Sequence, residues 1–187
     1  MVMSSSISPN IEYHEALGMM MWLMKHADYH GQWPLWSVDK DVLPALLHGQ
    51  SKIYFDENRN PVGFATWAWL NEDAKQKLLN DEGDLQLSQW KGGNHLMFAD
   101  FVAPWGHTKN ILNDLRGNVF PRNRAFSLGR HKDGSIRKVY YWKGFEFKES
   151  ITKEQHEIAS LTGRNKKIQR VRPTKTSTRR IPPNGEP

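Results

Sequence analysis

The sequence predicts an α+β domain in which helices cover a mixed, largely antiparallel sheet. Three observations carry that expectation. Two pairs of β-rich runs flank turn-forming residues, at 52–70 and 124–142. A further apolar run at 95–103 stands between them, and segments of helical spacing fall before, between and after these strands. At 187 residues, with 38% hydrophobic content, eight Trp and eight Phe, the chain is long enough for one domain with a substantial core.

In chain order, residues 1–10 are polar and read as a flexible start, and the domain is expected over 11–162. Ile11 to Ala27 has helical spacing, with Ile11, His14, Leu17, Met21 and Met24 near one face and Asn10 or Ser8 available as a cap. His30-Gly31-Gln32-Trp33-Pro34 is a turn, since Gly31 and Pro34 punctuate it and the residue before a proline is pushed from helical geometry. Ser37 or Asp39 opens a second helix through Leu47, ended by Gly49. Lys52 to Phe55 and Pro61 to Leu70 are two strands around a polar turn, and the second has small or apolar residues on both faces, so both faces are expected to be covered. Glu72 to Leu79 is a short helix and Asp81 to Gly93 a polar connection. His95 to Ala103 is a central strand stopped by Pro104-Trp105-Gly106, after which Thr108 caps a helix to about Arg116. Arg124 to Arg130 and Ile136 to Trp142 form a hairpin around Asp133-Gly134. Ile151 to Leu161 is a weaker last helix. From 163 to 187, four prolines among many Lys, Arg, Ser and Thr predict a basic disordered tail.

Composition narrows the functional classes. The chain has no cysteine, which removes thiol nucleophiles, disulfides and thiolate metal sites and suits a reducing, cytoplasmic setting. The start lacks a signal-peptide pattern, and the apolar run Leu17 to Met24 falls far short of the roughly 18 to 20 residues a membrane span needs. The formal charge of +6 is unevenly distributed. Residues 1–108 hold seven basic and thirteen acidic groups, residues 109–143 nine and two, and residues 164–187 eight and one. A tail this basic could neutralise phosphates, but it has no aromatic residue for base stacking, so nucleic-acid binding is the weaker reading.

Two residues carry chemical interest. Asp100 stands in the apolar run Leu96-Met97-Phe98-Ala99-Asp100-Phe101-Val102-Ala103, where a carboxylate is costly to bury without a partner. Alternation also allows it to face outward on a half-exposed strand, and the pattern does not choose. His30 lies in a turn after a helix, where an imidazole can project into a cleft and serve as a general base, although any one of eight histidines is more often a surface residue. No histidine pair has the spacing of the HExxH zinc motif, and there is no GxSxG elbow, P-loop or dinucleotide-binding glycine pattern. The Met19-Met20-Met21 and Met24 cluster is expected to be core.

Several blocks, in order, resemble the RTX toxin-activating lysine acyltransferases, the family of the haemolysin-activating protein. They are Leu17-Gly18 with Trp22-Leu23, His30-Gly31-Gln32-Trp33-Pro34, Val42-Leu43-Pro44-Ala45, Pro61-Val62 with Ala65-Thr66-Trp67-Ala68, and Phe98-Ala99-Asp100-Phe101-Val102-Ala103-Pro104-Trp105-Gly106. The resemblance spans roughly residues 15–145. It implies a Gcn5-related acetyltransferase-like fold and transfer of a fatty acyl group from acyl carrier protein to internal lysines of an RTX protoxin, with no resident cofactor and pairing into a homodimer. It also implies that His30 and Asp100 are the catalytic pair: His30 as general base toward the lysine amine or as transient acyl carrier, Asp100 as its electrostatic support.

The residues fit that reading in two further ways. The basic segment 109–143 offers Arg116, Arg122, Arg124 and Arg130 to an acidic carrier protein, and the turn after the Asp100 strand lacks the glycine-rich loop that holds the pyrophosphate of coenzyme A. A coenzyme A-dependent N-acyltransferase of the same fold is the rival. The chain departs from the family at His26-Ala27-Asp28, where relatives often have Ser-Ser-Pro, and at Asp41, where they usually have Asn.

Overall fold

Five strands form one sheet in sequence order: β1 (Ser51–Phe55), β2 (Pro61–Leu70), β3 (His95–Val102), β4 (Arg124–Arg130) and β5 (Ile136–Lys143). This computed structural model describes residues 12–149. The expected flexible start, the helix expected at 151–161 and the basic tail lie outside the described residues. β1–β2, β2–β3 and β4–β5 are antiparallel, and β3–β4 is the parallel pair. A parallel pair needs a crossover, which α5 (Thr108–Asp114) and the π-helical turn Leu115–Val119 supply.

β3 is the middle strand of the five, as its apolar run requires, and β2 is buried from Val62 to Ala68 on both faces. One face carries Tyr54, Trp67 and Phe98 against Ile111, Leu115 and Phe120 of the crossover. The other carries Ile53, Phe64 and Val102 against α1 (Tyr13–Lys25). A third cluster packs α4 (Glu72–Leu79), through Ala74 and Leu78, with Leu70, Met97, Phe126 and Trp90. The result is the expected α+β arrangement, a mixed and largely antiparallel sheet covered by helices, as in Gcn5-related acetyltransferases.

Several local expectations are corrected. The buried face of α1 is Ala16, Met20, Leu23 and Met24, with Leu17 and Met21 only at its margin and His14 exposed. The methionine run gives adjacent faces equal apolar content, so spacing could not separate them. The second helix is two, α2 (Val38–Asp41) and α3 (Leu43–Leu47), because Pro44 has no N–H for the carbonyl four residues back. Gly49 ends α3 at φ 64°, a conformation that favours glycine. Thr108 is the first residue of α5 and not its cap, which is His107. The connection at 81–93 contains a single 3-10 turn, Leu87–Trp90, that buries Trp90.

Candidate active site

The turn that carries His30 is built on the end of α1. The Gly31 N–H donates to the Ala27 carbonyl at 2.7 Å, folding the 3-10 turn His30–Gln32 back on the helix. A Cβ at Gly31 would stand 3.0 Å from the Lys25 carbonyl oxygen and 3.3 Å from that of Met24, so the return is this tight only with glycine. The His30 imidazole lies between Tyr29, edge-on with ring centroids 5.1 Å apart, and Trp33 at 4.7 Å. These rings pack against it on two sides.

Asp100 reaches the same place because β3 is bulged. Phe101 pairs with Ala65 and Phe98 with Trp67, so Ala99 and Asp100 together face the single residue Thr66. The extra residue breaks the strict alternation and re-aims the Asp100 side chain. Its backbone N–H, displaced from the ladder, donates to Thr66 Oγ1 at 3.1 Å. Thr66 is fully buried.

The two side chains meet at 3.1 Å, His30 Nε2 to Asp100 Oδ1, with 11% and 22% of their areas exposed. The choice that the sequence pattern leaves open is thus decided: Asp100 is a partnered acid on a central strand. An ionised carboxylate only accepts, so in the neutral form of the ring the proton sits on Nε2 and the lone pair on Nδ1. That is the form a base needs.

Two spaces flank the pair. β3 and β4 are bonded only at Leu96–Ala125 and Met97–Phe126 and part beyond those residues. The wedge between them holds a cavity of about 260 Å³, with Met97, Ala99, Leu128, Leu78, Leu85 and Trp90 as apolar lining and Asp100 in its wall. Its polar rim is Tyr29, Lys40, Asp41, Asp84 and Arg130, and a wider groove of about 590 Å³ continues from it past Trp36 and the β4–β5 turn. The second space, about 270 Å³, is lined by His30 itself with His26, Asp28, Phe101 and Pro104. The pair therefore stands as a partition between the wedge cavity, whose interior is apolar, and a second pocket of about the same volume.

Electrostatics mark a residue that the sequence did not single out for chemistry. Burial, with the charges of Asp100 and Asp84 adding to it, pushes the Asp41 carboxyl up to about 7, against the opposing pull of Lys40 and Arg130. Burial and the Asp100 charge likewise raise the Tyr29 phenol. Nothing in local spacing announces Asp41, since it becomes part of the rim only when α2 folds beside the wedge. The one signal available was its departure from the usual Asn. Arg130 is held at the rim by Nη1 bonds to the Gly134 carbonyl at 2.6 Å and Asp81 Oδ1 at 3.2 Å.

The basic segment is not one patch. Arg124 and Arg130 stand at opposite ends of the seven-residue strand β4, about 20 Å apart at the usual rise per residue. Arg116 stacks on Phe145, Arg124 lies over Phe147, and Arg122 pairs with Glu146 at 3.1 Å, which leaves only Arg130 at the wedge. Among the described residues no three His, Asp or Glu side chains are grouped to hold a metal ion, and no helix is long and apolar enough to cross a membrane.

Comparison with known proteins adds an independent line. Residues 9–143 match the profile of the HlyC family, described as RTX toxin acyltransferases. An uncharacterized protein of Synechocystis is 31% identical over 129 residues, covering 67% of this chain and 88% of its own length. The lysine-acyltransferase RtxC of Vibrio cholerae is 29% identical over 109 residues, 58% of this chain and 71% of its own. The RTX-I toxin-activating lysine-acyltransferase ApxIC of Actinobacillus pleuropneumoniae is 29% identical over 138 residues, 74% and 79% respectively.

Proposed function

The chain belongs to the RTX toxin acyltransferase family, and from that membership we propose that it moves a fatty acyl group from acyl carrier protein onto internal lysines of an RTX protoxin in the cytoplasm. The observation that carries the reading is the position of the His30–Asp100 pair between the apolar wedge cavity and the pocket on its far side. A thioester whose acyl chain lies in the wedge presents its carbonyl carbon at the partition. Burying the chain against Met97, Leu128, Leu85 and Trp90 stabilises it by about 0.8 kcal/mol per methylene.

In the reaction, the nitrogen of the acceptor amine forms a bond to the thioester carbonyl carbon as Nδ1 of His30 takes the amine proton. The C–S bond then breaks and the imidazolium returns that proton to the departing sulfur, so thioester plus amine give amide plus thiol. Asp100 holds the ring in the required tautomer through Nε2 and stabilises the imidazolium while it exists. What supports a carrier protein over free coenzyme A is the turn after β3. It runs Ala103-Pro104-Trp105-Gly106-His107 into a helix with no side-chain cap, and has no glycine run to cradle a pyrophosphate.

The test is direct. The full chain is incubated with acylated carrier protein and an RTX protoxin, acyl-lysine is sought by mass spectrometry, and acyl-coenzyme A is run in parallel. Acyl-lysine formed from the carrier donor, lost in His30→Ala and severely reduced in Asp100→Ala while both variants stay folded, is the expected result. Turnover of acyl-coenzyme A with neglect of the carrier would overturn the donor assignment, and full activity in either variant would remove that residue from the mechanism.

A further inference from the structure

Three exposed rings gather beside the pocket that contains His30, and one of them, His26, lines it. Trp22 and Trp105 are 45% and 49% exposed, their ring centroids 5.4 Å apart. His26 lies against both, at 4.6 Å from Trp22 and 5.9 Å from Trp105, and is fixed by an Nδ1 bond to the Trp22 carbonyl at 2.8 Å. Trp22 belongs to α1, which leads into the His30 turn, and Trp105 follows the strand that carries Asp100. His26 and Pro104 connect this cluster to the pocket, whose edge also holds the Asp28 carboxylate.

We propose that this aromatic cluster and the 270 Å³ pocket behind it are the entry for the acceptor lysine, so that donor and acceptor approach the His30–Asp100 pair from opposite sides. The inference rests on the acyl-transfer reading and adds to it where the amine comes from. Indole faces are electron-rich and attract an ammonium, and the Asp28 carboxylate adds attraction of the same sign. Space equal to about nine waters, at about 30 Å³ each, exceeds what the four-carbon stem and ammonium of one lysine fill. The wedge cavity suits this guest poorly, because an ammonium buried on its apolar lining would lose its hydration. Drawn in as a cation at the mouth, the lysine releases its extra proton to solvent there and reaches Nδ1 of His30 as the free amine, which then attacks across the partition.

The test needs no turnover. The full chain, labelled with nitrogen-15, is titrated at millimolar concentration with Nα-acetyl-lysine N-methylamide, and separately with the norleucine analogue, which lacks the ammonium. Trp22→Phe and Trp105→Phe identify the two indole N–H signals. Saturable shifts at those two signals with the lysine compound and not with norleucine are expected. Equal shifts from both compounds, no shift, or shifts confined to the signals of Trp33 and Trp90, which both line the wedge, would overturn the proposal.

In the transfer assay, Trp22→Ala and Trp105→Ala should each raise the KM for the protein acceptor about two- to five-fold, the worth of an exposed cation–π contact, with the donor KM unmoved. A change in the donor KM alone would reject the assignment. If the wild type does not accept acyl carrier protein at all, the donor reading falls while the indole titration still decides this one.

Discussion

Replacing Asp41 by Asn should make the protein more stable, and increasingly so as the pH rises. The Asp41 carboxyl moves from its ordinary 3.8 to about 7, first because it is buried and then because Asp100 and Asp84 face the same space. Between those two values the folded state holds a proton that the unfolded chain releases, so each unit of pH rise in that window removes stability. At 1.36 kcal/mol per unit, the roughly three-unit shift amounts to at most about 4 kcal/mol by pH 8. Asp41 keeps some solvent contact, and screening there brings the working figure to about 2 kcal/mol. Asn has nearly the same shape and no proton to lose.

Urea unfolding of both proteins at pH 5, 6, 7 and 8 should therefore show the variant's advantage widening, by about 1 to 2.5 kcal/mol between the extremes. An advantage that stays flat with pH, or a variant less stable than wild type at pH 8, would refute the reasoning.

Four other outcomes follow from the geometry. Thr66→Val keeps the shape but strands the Asp100 N–H, which should cost about 1 to 3 kcal/mol in denaturant titrations; it should also lower transfer, and Thr66→Ser should restore both. Asp114→Asn disrupts a buried cluster in which Lys52, Tyr54 and Asn118 donate to one carboxylate at 2.7 to 2.9 Å, for a loss of about 3 to 5 kcal/mol at pH 7. Burial raises the Asp114 carboxyl, but those hydrogen bonds outweigh it and hold it below its ordinary value, so the stabilisation is present above pH 3.8 and fades below it; the variant's deficit should narrow in acid. Leu128→Trp fills part of the wedge and should shorten the longest acyl chain accepted, read with carrier donors of graded length. Gly31→Ala, whose Cβ would press on the Lys25 carbonyl, should shift the His30 turn and lower transfer by more than its effect on the melting temperature predicts.

Much of the fold was legible because its elements are marked locally. β2 starts after a polar turn, α4 is the short helix expected at 72–79, and β4 runs into the Asp133-Gly134 turn, each with the expected bounds. What the pattern could not supply are features that exist only between elements. Asp100 is the clearest case: alternation along β3 is a rule for a regular strand, and the residue sits where that rule is suspended by a bulge opposite Thr66. A sequence shows neither the bulge nor the hydroxyl beneath it, because Thr66 lies 34 residues away on the neighbouring strand. The same holds for Asp41, whose raised proton affinity comes from burial and then from two carboxylates brought close by folding. The basic segment also divides on folding, since Arg116, Arg122 and Arg124 gather around 143–147 while Arg130 is carried to the other end of β4. The His30–Asp100 pairing therefore depends on two backbone irregularities, the Gly31 return and the β3 bulge, at positions where regular secondary structure would have kept the side chains apart.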